Sequence, residues 1–212
     1  MAIIEEYKIQ LPDSIKEVFL GRRTLIAEKD IRLTKTKNQV ISAPSQSLEA
    51  ARTEAVSEGY DVRIFGDSIE GEARIEAVRQ VAWARDIQKS LGRRARPVLL
   101  LSGGECTVSG WRGGVGGPNA EFALAAAIEL KGQPSISLLS CDTDGVDGSS
   151  EVAGAVVFPN TLCRAKSLGL DPSDFLDRND SHTFFSKLGN QVKTGPTLTN
   201  VNDFRAILVQ PT

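Results

Sequence analysis

The run Val98-Leu99-Leu100-Leu101 constrains the fold more than any other segment of the chain. A strand with one wet face alternates apolar and polar residues, so four consecutive apolar residues ending at Ser102-Gly103-Gly104 read as a strand covered on both faces. Such a strand belongs to a sheet with helices against it, and the neighbouring sequence supplies them. Ser45 or Ser47 is placed to cap a helix that turns Leu48, Ala51 and Ala55 to one face and stops at Gly59. Residues 61–65 read as a strand, and residues 70–91 keep helical spacing through Ile75, Val78 and Ala82. Residues 119–130 are alanine-rich and helical, with Lys131-Gly132 closing the helix. Residues 136–140 and 204–209 read as further strands, with short helices near 161–168, 172–176 and 182–188. Val40-Ile41 reads as one more short strand. The expectation is an α/β layered fold whose sheet is mixed or largely parallel and flanked by helices.

The pattern predicts one domain over residues 38–212, preceded by an N-terminal arm and linker over residues 1–37. The arm carries Ile3, Ile4, Tyr7, Ile9 and Leu11, then a brief helix from Pro12-Asp13 that Gly21 ends. Residues 22–37 hold six basic and two acidic residues and read as a solvated connector.

Charge narrows the partners. The chain has 212 residues, 25 basic and 27 acidic, a net charge of −2. That balance leaves no footprint for nucleic acid or an anionic membrane, so a small-molecule partner is expected. No apolar run approaches the ~20 residues that span a bilayer, and no signal peptide is legible, which predicts a cytoplasmic protein. Three cysteines and one histidine argue against a disulfide framework, a zinc site or His-paired nucleophiles. His182, beside Phe184 and Phe185, reads as structural. Trp83 sits on an apolar helical face, whereas Trp111 borders a glycine loop and reads as a lid residue.

In α/β sheets the loops beyond the carboxyl ends of strands hold ligands, and four such stretches here have unusual chemistry. Ser102-Gly103-Gly104-Glu105 offers free amides and a carboxylate, against the plainer alternative of a tight turn. Gly113-Gly114-Val115-Gly116-Gly117-Pro118-Asn119 precedes the alanine-rich helix, where amides and the helix dipole suit an anion and Asn119 suits a cap. It is neither a Walker A loop nor a dinucleotide fingerprint. Asp142-Thr143-Asp144-Gly145-Val146-Asp147-Gly148 packs three carboxylates into six residues, which repel unless a cation, a proton or donors compensate them. Residues 194–203, TGPTLTNVND, crowd hydroxyls and amides together, as sugar acids and phosphates require, although such a loop can also satisfy its own backbone.

Taken in order, LLLSGGE, GGPNAEFALA, DTDGVDG, AGAVV, the GLDP and ND stretches and TGPTLTNVND resemble the MOFRL domain of glycerate 2-kinases. The resemblance is strong over residues 97–209 and extends back to Asn38. It implies a two-domain enzyme that phosphorylates D-glycerate at its 2-hydroxyl with ATP and Mg²⁺, with the active site between the domains. Many relatives carry the name hydroxypyruvate reductase. By this resemblance Asp144, Asp147 and Glu105 are the catalytic candidates, with Asp144 also the metal candidate. Ser102, Gly103, Gly104, Gly116, Gly117, Asn119, Glu121, Thr197, Asn200, Asn202 and Asp203 are the substrate-binding candidates. Two departures stand out. Pro118 and Val115 occupy positions where the family carries arginine, leaving Arg112 as the nearby substitute. The chain is also roughly half as long as a full kinase, which implies that an N-terminal domain, in cis or in trans, supplies the nucleotide site and a catalytic lysine. A reductase, a degenerate sugar-acid binder and a structural partner in a homo-oligomer are the alternative readings.

Overall fold

The computed structural model describes every residue except Met1, residues 22–25, Ala27, Glu28, Trp111 and Thr212. Two compact units divide the chain at residues 41 and 42. The first holds α1 (Ala2–Glu6), α2 (Asp13–Phe19) and a single 3₁₀ turn at Ile31–Leu33. Asp30 starts that turn by accepting the Arg32 amide at 2.8 Å. The predicted brief helix after Pro12 is α2, while residues 22–25, 27 and 28 of the basic connector and the lid candidate Trp111 lie outside the described residues.

The second unit runs α3 (Pro44–Ser57), β1 (Asp61–Glu72), α4 (Ala73–Ser90), β2 (Val98–Thr107), α5 (Pro118–Leu130), β3 (Ile136–Asp142) and β4 (Gly154–Val157). It continues with α6 (Thr161–Ser167), α7 (Pro172–Asp177), α8 (Ser181–Leu188), β5 (Gln191–Val192) and β6 (Asp203–Val209). The six strands form one mixed sheet in the order β1-β2-β6-β3-β4-β5. Only β1 and β2 pair in parallel; every other pair is antiparallel. The largely parallel alternative is therefore corrected. Strand β6 returns from the end of the chain to lie between β2 and β3, and chain direction across that insertion is invisible to local periodicity.

The core follows from side-chain alternation. Val98 and Leu100 of β2, Ile136 and Leu138 of β3, and Ile207 and Val209 of β6 join a buried cluster with Ala77, Val81 and Ala84 of α4 and Phe122, Leu124 and Leu130 of α5. Five alanines in α5, all buried, let the helix pack closely against α4 on one side, β3 and β4 beneath it and α7 and α8 beyond. Leu101 belongs to the opposite face, where α3 covers the sheet. Leu48 of α3 stands 3.6 Å from the place a β-carbon on Gly103 would take.

Several element boundaries differ from expectation. Val40 and Ile41 form no strand and are 80% and 84% exposed, because nothing on either side pairs with them. Ala43, not a serine, precedes α3; Pro44 opens it and the Gln46 side chain accepts the Ala43 amide at 3.1 Å. The β1 strand extends to Glu72 and α4 begins at Ala73, so the first residues of the predicted helix are strand. The β2 strand runs through Ser102-Gly103-Gly104-Glu105, which is therefore paired strand and not a loop.

Candidate functional site

Gly104 of β2, Asp203 of β6 and Asp142 of β3 stand in one register row across three neighbouring strands. At this end of the sheet the four stretches of unusual chemistry converge, in two layers.

The inner layer is buried and closed on itself. Asp203 accepts from the Asn119 side-chain amide at 2.6 Å, from the Cys106 backbone amide at 3.1 Å and from the Arg205 guanidinium. Asn119 in turn accepts the Ser140 hydroxyl at 2.7 Å. Asp147 reaches across from its loop to accept the Asn119 and Ala120 amides at 2.9 and 2.8 Å, so it is the side-chain cap of α5. The cap expected from Asn119 thus comes from Asp147, while the Asn119 side chain turns into the network. Glu121 takes two hydrogen bonds from Arg74, at 2.9 and 2.7 Å, and one from Asn179 at 3.0 Å. Ser102 donates to Gln80 of α4 at 3.0 Å.

The glycines serve this closure. Gly104 has φ +130°, and a β-carbon there would run into the backbone of Ile69 on β1. Gly117 lies against the backbone and carboxylate of Asp147, leaving no room for any side chain. Gly103 and Gly116 sit with less pressure against the Asp203 carbonyl and the His182 amide, each 3.3 Å from a notional β-carbon. Amides read from the sequence as ligand donors are thus crowded by the chain's own loops.

The outer layer faces solvent. Asp144 accepts the Val146 amide at 2.8 Å on one oxygen and the Asn200 side-chain amide at 3.0 Å on the other. Its own amide donates to Asp142 at 2.9 Å, and its carbonyl accepts the Thr197 amide at 3.0 Å. Thr197 donates its hydroxyl to the Thr143 carbonyl at 2.5 Å, and the Thr143 hydroxyl donates to the Asn202 carbonyl at 2.8 Å. Asn202, at φ +64°, closes the turn by donating its amide to the Asn200 side chain at 2.9 Å. Asp144, Thr197, Asn200 and Asn202 therefore form one frame. Glu105 is exposed at the end of β2 with Glu70 beside it in register, apart from that frame.

Two carboxyls are perturbed. Burial pushes Asp147 up to about 6, against the two α5 amides that pull it down. Burial also lifts Asp142 to about 6, with the Asp144 amide opposing and the Asp144 and Asp203 carboxylates adding to the rise.

Mg²⁺ is commonly held by one or two carboxylates and completed by phosphate oxygens and water. Asp144 and Asp142 offer such a pair, whereas no group of three His, Cys, Asp or Glu side chains suited to a metal occurs among the described residues. Asp147 and Asp203 lie too deep and are too fully hydrogen-bonded to join them.

Sequence reasoning nominated Asp144, Asp147 and Asp203 but passed over Arg205, Arg74 and Gln80, and read Asn179 as part of a helix cap, although it donates to Glu121 in the inner layer. Arg205 left a signal. It occupies an inward position of a strand whose burial alternates strictly, and it is fully buried. Asp142 was counted among the loop's three carboxylates but not put forward as a site residue.

A mixed sheet capped at one end by a carboxylate and amide frame places the chain in the α/β class with a candidate site at that end, and comparison with known proteins narrows the family. The chain belongs to the MOFRL family, whose model matches residues 98–203. It is 44% identical to a protein of Agrobacterium vitis that carries the name hydroxypyruvate reductase, over 98% of this chain and 47% of that protein. It is 35% identical to the D-glycerate 2-kinase of Thermotoga maritima, over 96% of this chain and 47% of the enzyme. The crystal structure of the Thermotoga maritima glycerate kinase superposes with a TM-score of 0.83 at 32% identity, covering 98% of this chain and 49% of that one. The chain thus spans about half the length of the curated relatives it matches. No described helix is long and apolar enough to cross a membrane.

Proposed function

We propose that this chain forms the glycerate-binding half of a D-glycerate 2-kinase that transfers the γ-phosphoryl group of ATP to the 2-hydroxyl. The observation that carries the reading is the Asp144 carboxylate, fixed by Val146 and Asn200 in a frame of hydroxyls and amides at the open end of the sheet. In the transfer the 2-hydroxyl oxygen bonds to the γ-phosphorus, the bond to the ADP oxygen breaks and the hydroxyl proton leaves. Asp144 is placed to orient that hydroxyl and accept its proton. The Thr197 and Asn200 side chains supply hydrogen bonds of the kind a hydroxy acid needs. Mg²⁺, held by Asp144 and Asp142, would neutralise charge on the phosphoryl oxygens.

Charge supports a second polypeptide or domain. Arg74 and Arg205, the arginines inside the site's framework, are each paired with a buried carboxylate, Glu121 and Asp203. Phosphoryl transfer needs cations around the moving group; Arg112, exposed next to the glycine loop, is one that this chain offers, and the rest would come from outside it. The relatives' remaining half, present in cis or in trans, is the natural source, as it is for most of the nucleotide contacts. The cytoplasm, where ATP and glycerate meet, is the matching compartment.

The test is ADP and 2-phosphoglycerate formation from MgATP and D-glycerate. It is run on the chain alone, on the chain supplemented with the other half of a relative, and on a full-length relative as control. Transfer only in the supplemented sample supports the proposal, and transfer by the chain alone would place a complete nucleotide site here. Absence from both while the control turns over sinks the reading. Oxidation of NAD(P)H with hydroxypyruvate, measured alongside, decides for the reductase that some relatives' names suggest.

A further inference from the structure

We infer that Arg205 is a positioning residue, the buried cation that holds Asp203 and through it fixes the mutual register of the loops that build the site. Its side chain is fully buried, lies 5.0 Å over the Phe122 ring and finds its acceptor in Asp203. The Nε and Nη1 atoms have no partner among the described residues. A charge in such surroundings is costly to bury, and replacing a buried ion pair by apolar residues of similar volume is often neutral or stabilising. Stability alone therefore does not account for the arginine.

Geometry does. Asp203 accepts three donors from three elements: the Cys106 amide at the end of β2, the Asn119 side chain in the first turn of α5, and Arg205 on its own strand. Asn119 is also where Asp147 caps α5, so the Asp203 carboxylate ties together the β2 end, the start of α5 and the aspartate loop. Among the described residues the Arg205 guanidinium is the cation that touches it. Without that guanidinium the Asp203 carboxylate keeps only the Cys106 amide and the Asn119 side chain, and nothing on its own strand holds it in place between them.

The functional part of this inference rests on the kinase reading, and the experiment separates the two. Amide hydrogen exchange is followed in the chain itself for R205M and for R205M combined with D203L, which removes both charges. In R205M the Cys106 and Asn119 amides are expected to exchange at least about tenfold faster, while those of Leu100 and Ile207 at the sheet centre hold their protection. In the double variant sheet-centre protection and melting temperature match or exceed the wild type, yet the Asn119 amide, whose own acceptor Asp147 is untouched, stays fast, which a merely structural pair would not produce. Should R205M fail to fold, the double variant gives the reading. An Asn119 amide as protected as in the wild type in the folded double variant, or exchange rising uniformly over the sheet in R205M, overturns the inference. Where the supplemented chain phosphorylates glycerate, the same variants raise KM for glycerate more than they lower kcat. Absence of any wild-type turnover would count against the kinase reading and leave the exchange result standing.

Discussion

Replacing Asp147 by asparagine should flatten part of the pH dependence of stability. Burial raises the Asp147 carboxyl from its ordinary 3.8 to about 6, so between those values the folded chain binds a proton that the unfolded chain does not. Stability from this group is therefore greatest in acid and declines as pH rises through about 6, the reverse of an ion-paired aspartate. The full difference is about 3 kcal/mol, of which about 1 kcal/mol falls between pH 7 and pH 5 by linkage. Asparagine keeps one oxygen to accept from the Asn119 or Ala120 amide and does not titrate. Its own defect, about 1–3 kcal/mol for a buried amide left without its acceptor, is the same at both pH values. Urea unfolding of both proteins at about pH 7 and pH 5 isolates the titration, because the other carboxyls cancel in the difference. The wild type should gain about 1 kcal/mol on the variant on acidification. A gap that stays constant, or moves the other way, would show that Asp147 is not a buried carboxyl holding the start of α5.

Three further outcomes follow from the geometry. Gly104→Ala should cost about 4 kcal/mol or more in thermal unfolding, because the φ of +130° and the Ile69 backbone leave its methyl no place; a melt near that of the wild type would contradict the β1–β2 packing. Asp144→Asn should lower glycerate turnover by about 10²- to 10⁴-fold in the supplemented enzyme while leaving the melting temperature nearly unchanged, and undiminished turnover would remove Asp144 from the chemistry. Burial pushes the Cys106 and Cys141 thiols up to about 11, whereas Cys163 is exposed. A thiol reagent at mild alkalinity should therefore modify a single cysteine quickly and the other two only after unfolding, and rapid labelling of all three would contradict the burial.

Much of the fold was legible because its signals are local. The residues 98–101 run, the alanine-rich helix and the alternating last strand each declare themselves within about ten residues. Sheet order was not legible, because β6 enters between β2 and β3 from the far end of the chain and no periodicity records which neighbour a strand chooses. The same limit governs the site. Sequence picked out four stretches that the fold brings to one end of the sheet, since paired aspartates and dense amides are rare enough to stand out. It assigned their glycines to a ligand, and a residue without a β-carbon looks alike in sequence whether a phosphate or another loop comes close. Here, at Gly104 and Gly117, another loop does. Asp144 and Asp147 looked equivalent as neighbours in one loop, yet one sits in a solvent-facing frame and the other inside the molecule under α5. Which carboxylate meets water depends on contacts from residues 119–120 and 200, and those contacts exist only once the sheet has formed.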